Sequence, residues 1–468
     1  MKTKLKIIIA SLLMFMFILV NERDKLGSIV SIVPKETSVP RETSESPSVY
    51  FCPEDDCEGH LVDLIKSADE SVHCAFYDLD LEKVIDELKE GKSVKLVIDK
   101  DNTEEVRELN FVENEYAEGL MHNKFCIIDD KIILTGSFNP TERGNFYNNN
   151  NLIIISSKYL AENYKAEFEE LWDKKFASGE KVRYQTVYLN GKEIENYFCP
   201  EDSCTEHVIE TLNEAEESIY FMTFFFTSND IGDVLIAKHE VGIDIKGVIE
   251  KRSTSEWSEY QRLEEKGIDV KLDNNKYTMH HKVFIIDNKI LITGSFNPTK
   301  SANEKNDENI LIIHDERIAR EYLKEFERVW NFEDRLDLEQ RKADSIMISE
   351  VYYDCSGKDA EEEFIELYNP TDEKINLDYY FLSDNKTYNR LTGVIGPKST
   401  RVIDPKFSLN NKHGLLILKK SFEQIDFVSW ESLWDVEAET GQSIQRKSFE
   451  NVNSEDVWFV GEPTPGKI

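Results

Sequence analysis

Positive charge is scarce in this chain: 56 Lys and Arg stand against 91 Asp and Glu, a formal net charge of -35. That imbalance excludes capture of a polyanion by bulk attraction, because nonspecific nucleic-acid affinity comes from neutralising phosphates with Lys and Arg. A phosphate-bearing substrate must be recognised locally, inside a pocket. The acidity itself reads as solubility or adaptation to a salty environment. Low-complexity runs are absent, and 468 residues with 40% hydrophobic composition suffice for about three domains with proper cores. Long apolar runs are absent too, with one exception. Ile7 to Val20 carries 14 uncharged residues behind Lys2, Lys4 and Lys6. A spanning helix wants roughly 20, so residues 1–22 read as a signal peptide or an uncleaved N-terminal membrane anchor. No small-x-small cleavage site follows. Either reading puts the remainder outside the cytoplasm, secreted or held at the outer face of the membrane. Residues 23–49, with "VPKETSVPRETSESPS", form a flexible linker.

What is present is a repeat. "YFCPEDDC" at Tyr50 returns as "YFCPEDSC" at Tyr197, and each is followed by an amphipathic run, with Leu61, Leu64 and Ile65 at helix spacing in the first copy. Each copy continues with strand candidates, "SVHCAFYDL" and "SVKLVID" against "SIYFMTFFF" and "IDIKGVIE". Then come "MHNKFCIIDDKIILTGSFNPT" from Met121 and "MHHKVFIIDNKILITGSFNPT" from Met279, each reading as two strands joined by a tight turn. A charged helix closes each copy. Strands alternating with helices predict a duplicated α/β sandwich over residues 50–185 and 186–335. Such a duplication packs as a pseudo-twofold pair, with equivalent motifs facing one another.

The two blocks share one spacing: His122, Lys124, Asp129, Gly136, Ser137 and Asn139 in the first, His280, Lys282, Asp287, Gly294, Ser295 and Asn297 in the second. On a strand, residues two apart share a face, so His and Lys point together. Lys can hold a phosphate as a point charge while His addresses phosphorus. Gly allows close backbone approach, and Ser and Asn are expected to donate to non-bridging oxygens where charge grows. Two histidines on one phosphate permit a covalent route: one attacks, the other protonates the leaving oxygen and then activates water. The two lysines supply the charge a metal would otherwise meet, so no cofactor is expected. A single His-x-Lys is usually a solvated face; a six-residue pattern kept through a duplication is hard to obtain from packing alone.

These blocks resemble the phospholipase D superfamily, whose signature is His-x-Lys-x4-Asp-x6-Gly-Ser-x-Asn, carried twice per chain or once per subunit of a dimer. The resemblance covers about Tyr50 to Asn331. It implies a metal-independent phosphodiesterase working through phosphohistidine, with His122, Lys124, Asn139, His280, Lys282 and Asn297 at the family's active-site positions and Asp129 and Asp287 shaping the site. Because one chain holds both halves, a monomer can be active. Copy two has Glu308 where copy one has Asn150. In related proteins a Glu here orients the catalytic His, so Glu308 is expected on the second ring nitrogen of His280, raising its pKa. That arrangement favours His122 as nucleophile and His280 as general acid. His281 should point the other way, as a solvated residue.

Seven cysteines are present. Cys52 with Cys57, and Cys199 with Cys204, read as short-loop disulfides. The alternative is a zinc site, since His60 and His207 each follow the second Cys of a pair by three residues. Cys74 and Cys126 lie in apolar strands and are expected as buried free thiols.

Residues 345–468 change character, with short alternating strands and frequent turns that predict an all-β immunoglobulin-like sandwich. "EFIELYNP" with Leu377, then "GQSIQRK" and "EPTPGK", resemble a lamin tail domain. That resemblance implies a binding or tethering module for a partner the sequence does not name. Nucleic acid is the expected substrate. Phospholipid headgroups, with the N-terminal segment as membrane attachment, are the alternative, and a non-catalytic surface binding protein is a third reading. Lys251, Arg252, Trp257 and Tyr260, before the second block, are a basic and aromatic set that could stack a base, unless Trp257 and Tyr260 pack a helix instead.

Overall fold

The structure is a computed structural model that describes residues 39–114, 118–332, 345–356, 362–384, 387–430, 434–449 and 454–467. The signal or anchor segment and most of the linker lie outside these residues. Among the described residues, no helix is long and apolar enough to cross a membrane.

Residues 41–467 form one compact unit. The first copy supplies strands β1 (Ser48–Cys52), β2 (Val72–Phe76), β3 (Val94–Asp99), β4 (Phe111–Asn114), β5 (Lys124–Ile128), β6 (Ile132–Gly136) and β7 (Asn150–Ser156), with helices α1 (Cys57–Lys66), α2 (Glu82–Glu90), α3 (Glu142–Phe146) and α4 (Lys158–Trp172). The second supplies β8 (Lys192–Cys199), β9 (Ser218–Thr223), β10 (Asp244–Ile249), β11 (Asp269–Leu272), β12 (Lys282–Ile286), β13 (Ile290–Gly294) and β14 (Glu308–Ile313), with α5 (Cys204–Asn213), α6 (Asn229–Glu240), α7 (Glu259–Glu265), α8 (Lys300–Glu304) and α9 (Glu316–Trp330). The first sheet runs β1-β7-β6-β5-β2-β3-β4 and the second β8-β14-β13-β12-β9-β10-β11, the same order twice. Two short strands, Arg41–Glu42 and Thr186–Leu189, extend the second sheet beyond β8.

Every residue of β5 and of β12 is buried, as strands covered on both faces must be. One face of each sheet packs on its outer helices. The other faces share a single core with the closing helices, in which Phe125, Ile127 and Val97 meet Val283, Ile285 and Val248 around Tyr164, Phe168, Tyr322 and Phe326. The helices α4 and α9 thus lie between the sheets and carry the pseudo-twofold interface. Each starts at a cap that satisfies an orphan backbone donor: Ser157 accepts from Leu160 N and Asp315 from Arg317 N.

The β5–β6 and β12–β13 hairpins turn on Asp129–Asp130 and Asp287–Asn288, all four with φ between 52 and 54°. Two successive left-handed residues make the primed turn that matches strand twist, which favours Asp and Asn. The Asp129 carboxylate accepts from the N–H groups of Asp69, Glu70 and Ser71, and Asp287 does the same for Glu216, Glu217 and Ser218. Burial raises these carboxyls, but three backbone donors together outweigh it and hold both below the usual range. This corrects their expected part in shaping the site: each ties a hairpin to the loop before β2 or β9, at the strand end remote from the histidines.

The cysteines form Cys52–Cys57, Cys199–Cys204 and Cys74–Cys126 disulfides. The third corrects the expectation of free thiols, because the β2–β5 register sets Cys74 directly against Cys126. The zinc alternative is also overturned. Its four sulfurs are oxidised, while His60 stacks on Tyr50 and His207 on Tyr197, each at 3.5 Å between ring centroids.

Residues 345–467 build a five-stranded and a four-stranded antiparallel sheet around Ile348, Leu367, Leu416 and Trp430. A fully buried Arg446–Asp426 pair, 2.8 Å apart, joins two strands. This sandwich docks on the first copy. Tyr379 hydroxyl bonds Asp56 and receives Asn145 Nδ2 at 3.3 Å, Ser421 Oγ donates to the Pro53 carbonyl at 3.0 Å, and Phe381 joins the first copy's outer core.

Asp129→Ala and Asp287→Ala are each expected to lower stability by about 1–2 kcal/mol, the cost of losing a capping carboxylate. Any activity carried by the paired motifs should change little in the folded protein. Denaturant titration alongside steady-state kinetics checks both.

Candidate active site

The two halves exchange backbone hydrogen bonds at the head of each motif. His122 N donates to the Asp307 carbonyl at 3.0 Å and Asp307 N to the Leu120 carbonyl at 2.9 Å; His280 N donates to Asn149 O at 2.9 Å and Asn149 N to Thr278 O at 2.9 Å. Met121 pairs with Asp307 and Asn149 with Met279 as parallel bridges. Buried carboxylates brace the approaches, with Asp99 accepting from Met121 N at 3.0 Å and Glu250 from Met279 N at 2.7 Å.

This exchange sets each histidine against the other half. His122 Nδ1 lies 2.8 Å from Glu308 Oε2. His280 Nδ1 lies 2.9 Å from Asn150 Oδ1 and 3.2 Å from the Ser137 carbonyl. The expectation that Glu308 serves His280 is therefore corrected: the carboxylate crosses the interface to His122, and His280 receives the amide of copy one. The Asn150 side chain is oriented by its own Nδ2, which donates to Gly144 O at 2.9 Å. Both contacts of His280 Nδ1 are acceptors, so this nitrogen carries a proton and Nε2 is left for the reacting group.

The serines are corrected as well. Ser295 Oγ donates to Glu308 Oε2 at 2.6 Å and accepts from Asn309 N at 2.9 Å. Ser137 Oγ donates to Asn150 Oδ1 at 3.2 Å and accepts from Asn151 N at 3.0 Å. Both hydroxyls are spent holding the partner of a histidine rather than facing a phosphate. Asn297 Oδ1 accepts from Phe225 N at 3.4 Å, while Asn139 Oδ1 is buried with no hydrogen-bond partner. Gly136 and Gly294, with φ of 143 and 141°, run so close to the next strand that a Cβ would stand 2.3 or 2.2 Å from the carbonyl of Asn151 or Asn309. Close approach is met here by neighbouring backbone.

Lys124 Nζ donates to His122 O at 2.6 Å and Lys282 Nζ to His280 O at 2.7 Å. Each ammonium also lies over a ring, Tyr77 at 5.1 Å and Phe224 at 5.2 Å, and the same rings flank His122 and His280. These walls were not singled out in the sequence; their equivalent places at the end of β2 and β9 are the signal that marks them. His281 is fully buried, with Nε2 2.9 Å from Glu325 and Nδ1 3.1 Å from Asn151 Nδ2. It points away from the pocket as expected, but into the helix layer rather than solvent.

Burial, then the two lysines, push His122 and His280 well below the ordinary imidazole value. Burial pulls Lys124 down to about 7 against Glu308, Asp78 and Asp99, and burial with the neighbouring Lys124 charge holds Lys282 well below its ordinary value. Burial also pushes Glu308 up to about 8, against Lys124 and the bonds from Ser295 and Asn306. Three donors converge on this carboxyl: the Ser295 hydroxyl, the Asn306 amide at 3.3 Å and the imidazole. That convergence favours a carboxylate receiving Nδ1–H, which leaves His122 Nε2 with its lone pair. An anion entering the pocket would relieve the lysines and raise every pKa here.

The family model described as "Cardiolipin synthase, PLD-like domain" matches residues 61–172 and 208–330, half of the chain. The chain belongs to the phospholipase D superfamily. A second model, Lamin Tail Domain, matches residues 339–432. Phospholipase D of Rickettsia typhi is 33% identical over 141 residues, 30% of this chain and 69% of that protein. Mitochondrial cardiolipin hydrolase of Homo sapiens is 34% identical over 130 residues, 28% of this chain and 52% of that one. Among solved structures, the phospholipase D family member Nuc from Salmonella typhimurium is 33% identical with a TM-score of 0.29, covering 30% of this chain and 95% of that one. The protein is thus a phospholipase D-like phosphodiesterase carrying a lamin tail domain, and the reading as a non-catalytic surface protein falls away.

Sulfate keeps its charge over the range in which Lys124 titrates. Its competitive inhibition constant should rise as the pH climbs through about 7, where the free Lys124 loses its proton while the sulfate-bound one keeps it. Inhibition of bis(p-nitrophenyl) phosphate hydrolysis from pH 5.5 to 9 measures this; a constant value to pH 9 contradicts it.

Proposed function

We propose that this protein is an exported, metal-independent nuclease that works through phosphohistidine on His122. The observation that carries the mechanism is the asymmetry of the histidine partners. As His122 Nε2 bonds to phosphorus the ring becomes positive, and Glu308 is the carboxylate placed to stabilise it. His122 is favoured as nucleophile for a reason opposite to that drawn from the sequence, where the carboxylate was assigned to the other ring. In the first step His280 is protonated on both nitrogens, its pKa raised by the bound phosphodiester; the P–N bond forms, the P–O bond of the leaving group breaks, and His280 Nε2–H gives its proton to that oxygen. In the second, water attacks phosphorus, its proton goes to His280 Nε2, and the P–N electrons return to His122. Lys124 and Lys282 hold the non-bridging oxygens.

The lips of the pocket differ. Copy one presents Tyr77 and Asp78 beside Lys124, while copy two presents Phe224 beside Lys282 and an exposed Phe225, at 41%. The segment after β10 is tied to this second lip, with Ser253 Oγ bonded to the Phe224 carbonyl and Glu259 N donating to Phe226 O at 2.9 Å. It carries Lys251, Arg252 and Trp257, whose ring is 73% exposed rather than packed in a helix. Tyr260 lies half-buried against the outer core. An exposed indole beside basic groups suits stacking of an unpaired base next to the scissile phosphate. Export is supported by three disulfides, which persist in oxidising compartments, together with the apolar leader. Phospholipid hydrolysis is the second reading, favoured by relatives whose names are phospholipase D and cardiolipin hydrolase.

Single-stranded DNA, double-stranded DNA, RNA and phosphatidylcholine vesicles, offered in excess chelator, separate the readings. Nucleic acid should be cleaved, and Trp257→Ala should raise KM about 5- to 100-fold, the worth of one stacked base, with kcat retained. Release of choline instead moves the substrate to lipid. With bis(p-nitrophenyl) phosphate, whose leaving group needs little acid help, His280→Ala should accumulate phosphohistidine on His122, trapped by an alkaline denaturing quench because its P–N bond is acid-labile, and His122→Ala none. Label on His280 in the His122→Ala protein overturns the assignment.

A further inference from the structure

The halves also differ at a buried locus behind the catalytic strands. In one copy of that locus, Arg328 from α9 bonds Glu325 through Nε at 2.8 Å and Nη2 at 2.7 Å, and reaches Glu54 of the other half at 3.0 Å. His281 closes the set on Glu325, and Asn149 stands nearby in the strand-to-strand bridge. One guanidinium thus meets two carboxylates.

The repeat places Glu167, Glu170, Glu201, Asn123 and Asp307 where the first locus has Glu325, Arg328, Glu54, His281 and Asn149. The cation has become a carboxylate and an amide has become another. One ligand atom each from Glu167, Glu170 and Glu201 lies within 4.8 Å of the other two. Asp307 is 3% exposed; its Oδ1 accepts from Ala177 N at 2.6 Å, and its Oδ2 is buried with no hydrogen-bond partner. Glu201 Oε2 is likewise buried and unpartnered. Asp307 is close enough for its charge to act on both Glu167 and Glu201. The chain after α4 folds over this cluster: a Cβ at Gly179 would stand 2.2 Å from Glu170 Oε2 and 2.5 Å from Glu201 Oε1. Burial and mutual repulsion push Glu167 and Asp307 well up, and Glu201 up to about 7.

Four neighbouring carboxyl groups, two with orphaned buried oxygens, would carry a heavy desolvation cost unless protons or a cation joined them. Carboxylate oxygens alone are the donor set of a hard divalent ion, and calcium accepts six to eight of them in irregular geometry. We propose that Glu167, Glu170 and Glu201 form a calcium site, with Asp307 behind them, in which the ion does what the Arg328 guanidinium does in the twin locus. The ion touches no substrate. It braces Asp307, whose carbonyl receives His122 N and whose neighbour is Glu308, so it sets the stability of the wall behind the nucleophile. Chelation removes it without touching the reacting phosphorus, so chelated enzyme turns over below its lowered Tm.

The test uses the full chain, stripped with chelator and dialysed, at pH 7.5. Titration calorimetry with calcium chloride should show one equivalent bound to the wild type, and calcium should raise Tm by several degrees. Glu170→Arg, which installs the twin's guanidinium, should neither bind that equivalent nor respond to calcium, and its chelated Tm should exceed that of the chelated wild type. Glu201→Gln, a gentler change, should weaken calcium binding at least tenfold. Absence of a calcium response in the wild type overturns the proposal, and so does an equal response in Glu170→Arg or an unchanged affinity in Glu201→Gln, each of which would assign binding to surface carboxylates or protons to the cluster. A response to magnesium alone overturns the choice of ion.

Discussion

The exchange of backbone hydrogen bonds between the motif heads is the constraint on which the rest of this molecule depends. His122 N holds the Asp307 carbonyl and His280 N holds that of Asn149, so neither histidine can be placed without the other half. The residue that follows each acceptor, Glu308 or Asn150, is thereby delivered to a ring it does not share a repeat with. Neither half contains a complete pocket. The shared core around Tyr164 and Tyr322, and the hydroxyls of those two tyrosines on Asn309 and Asn151, hold the exchange in register.

Charge is used sparingly and locally. A chain with a formal net charge of -35 keeps two ammonium groups inside the pocket, each satisfied by one carbonyl and faced by a ring. Burial lowers both, so the free site is poised for an anion that restores their charge. The same opposition of burial and partner recurs behind the strands, where one locus is balanced by Arg328 and its twin gathers Glu167, Glu170 and Glu201 with the amide of Asn123. Duplication made the two loci alike, and a few substitutions made them complementary in charge.

Much of this was legible before any coordinates. The repeat, the spacing of His, Lys, Gly and Ser, and the turn chemistry of the C-terminal part carried the fold class, the superfamily and the lamin tail domain. The misreadings share a cause. Strand alternation says which side chains share a face, but not which chain lies opposite. The Asn150 and Glu308 difference was visible, yet its consequence depended on a crossing that no local spacing encodes. Ser137 and Ser295 sit where a phosphate donor would, but strand pairing turns their hydroxyls onto Asn150 and Glu308. Cys74 and Cys126 looked like apolar core until register set them face to face. His281 was read from alternation as outward, and alternation was right; only the helix layer, invisible in the sequence, decides that outward means buried.

The crossing of Glu308 to His122 can be observed directly in the resting enzyme. With 15N-labelled histidine, the two imidazole Nδ1–H resonances can be assigned through His122→Asn and His280→Asn and then followed in Glu308→Gln. The geometry predicts that the His122 proton moves markedly, as a charged acceptor at 2.8 Å becomes a neutral one, while the His280 proton stays within a small shift. A large change at His280 with His122 unmoved would contradict the crossed pairing, and with it the view that each half completes the other's histidine.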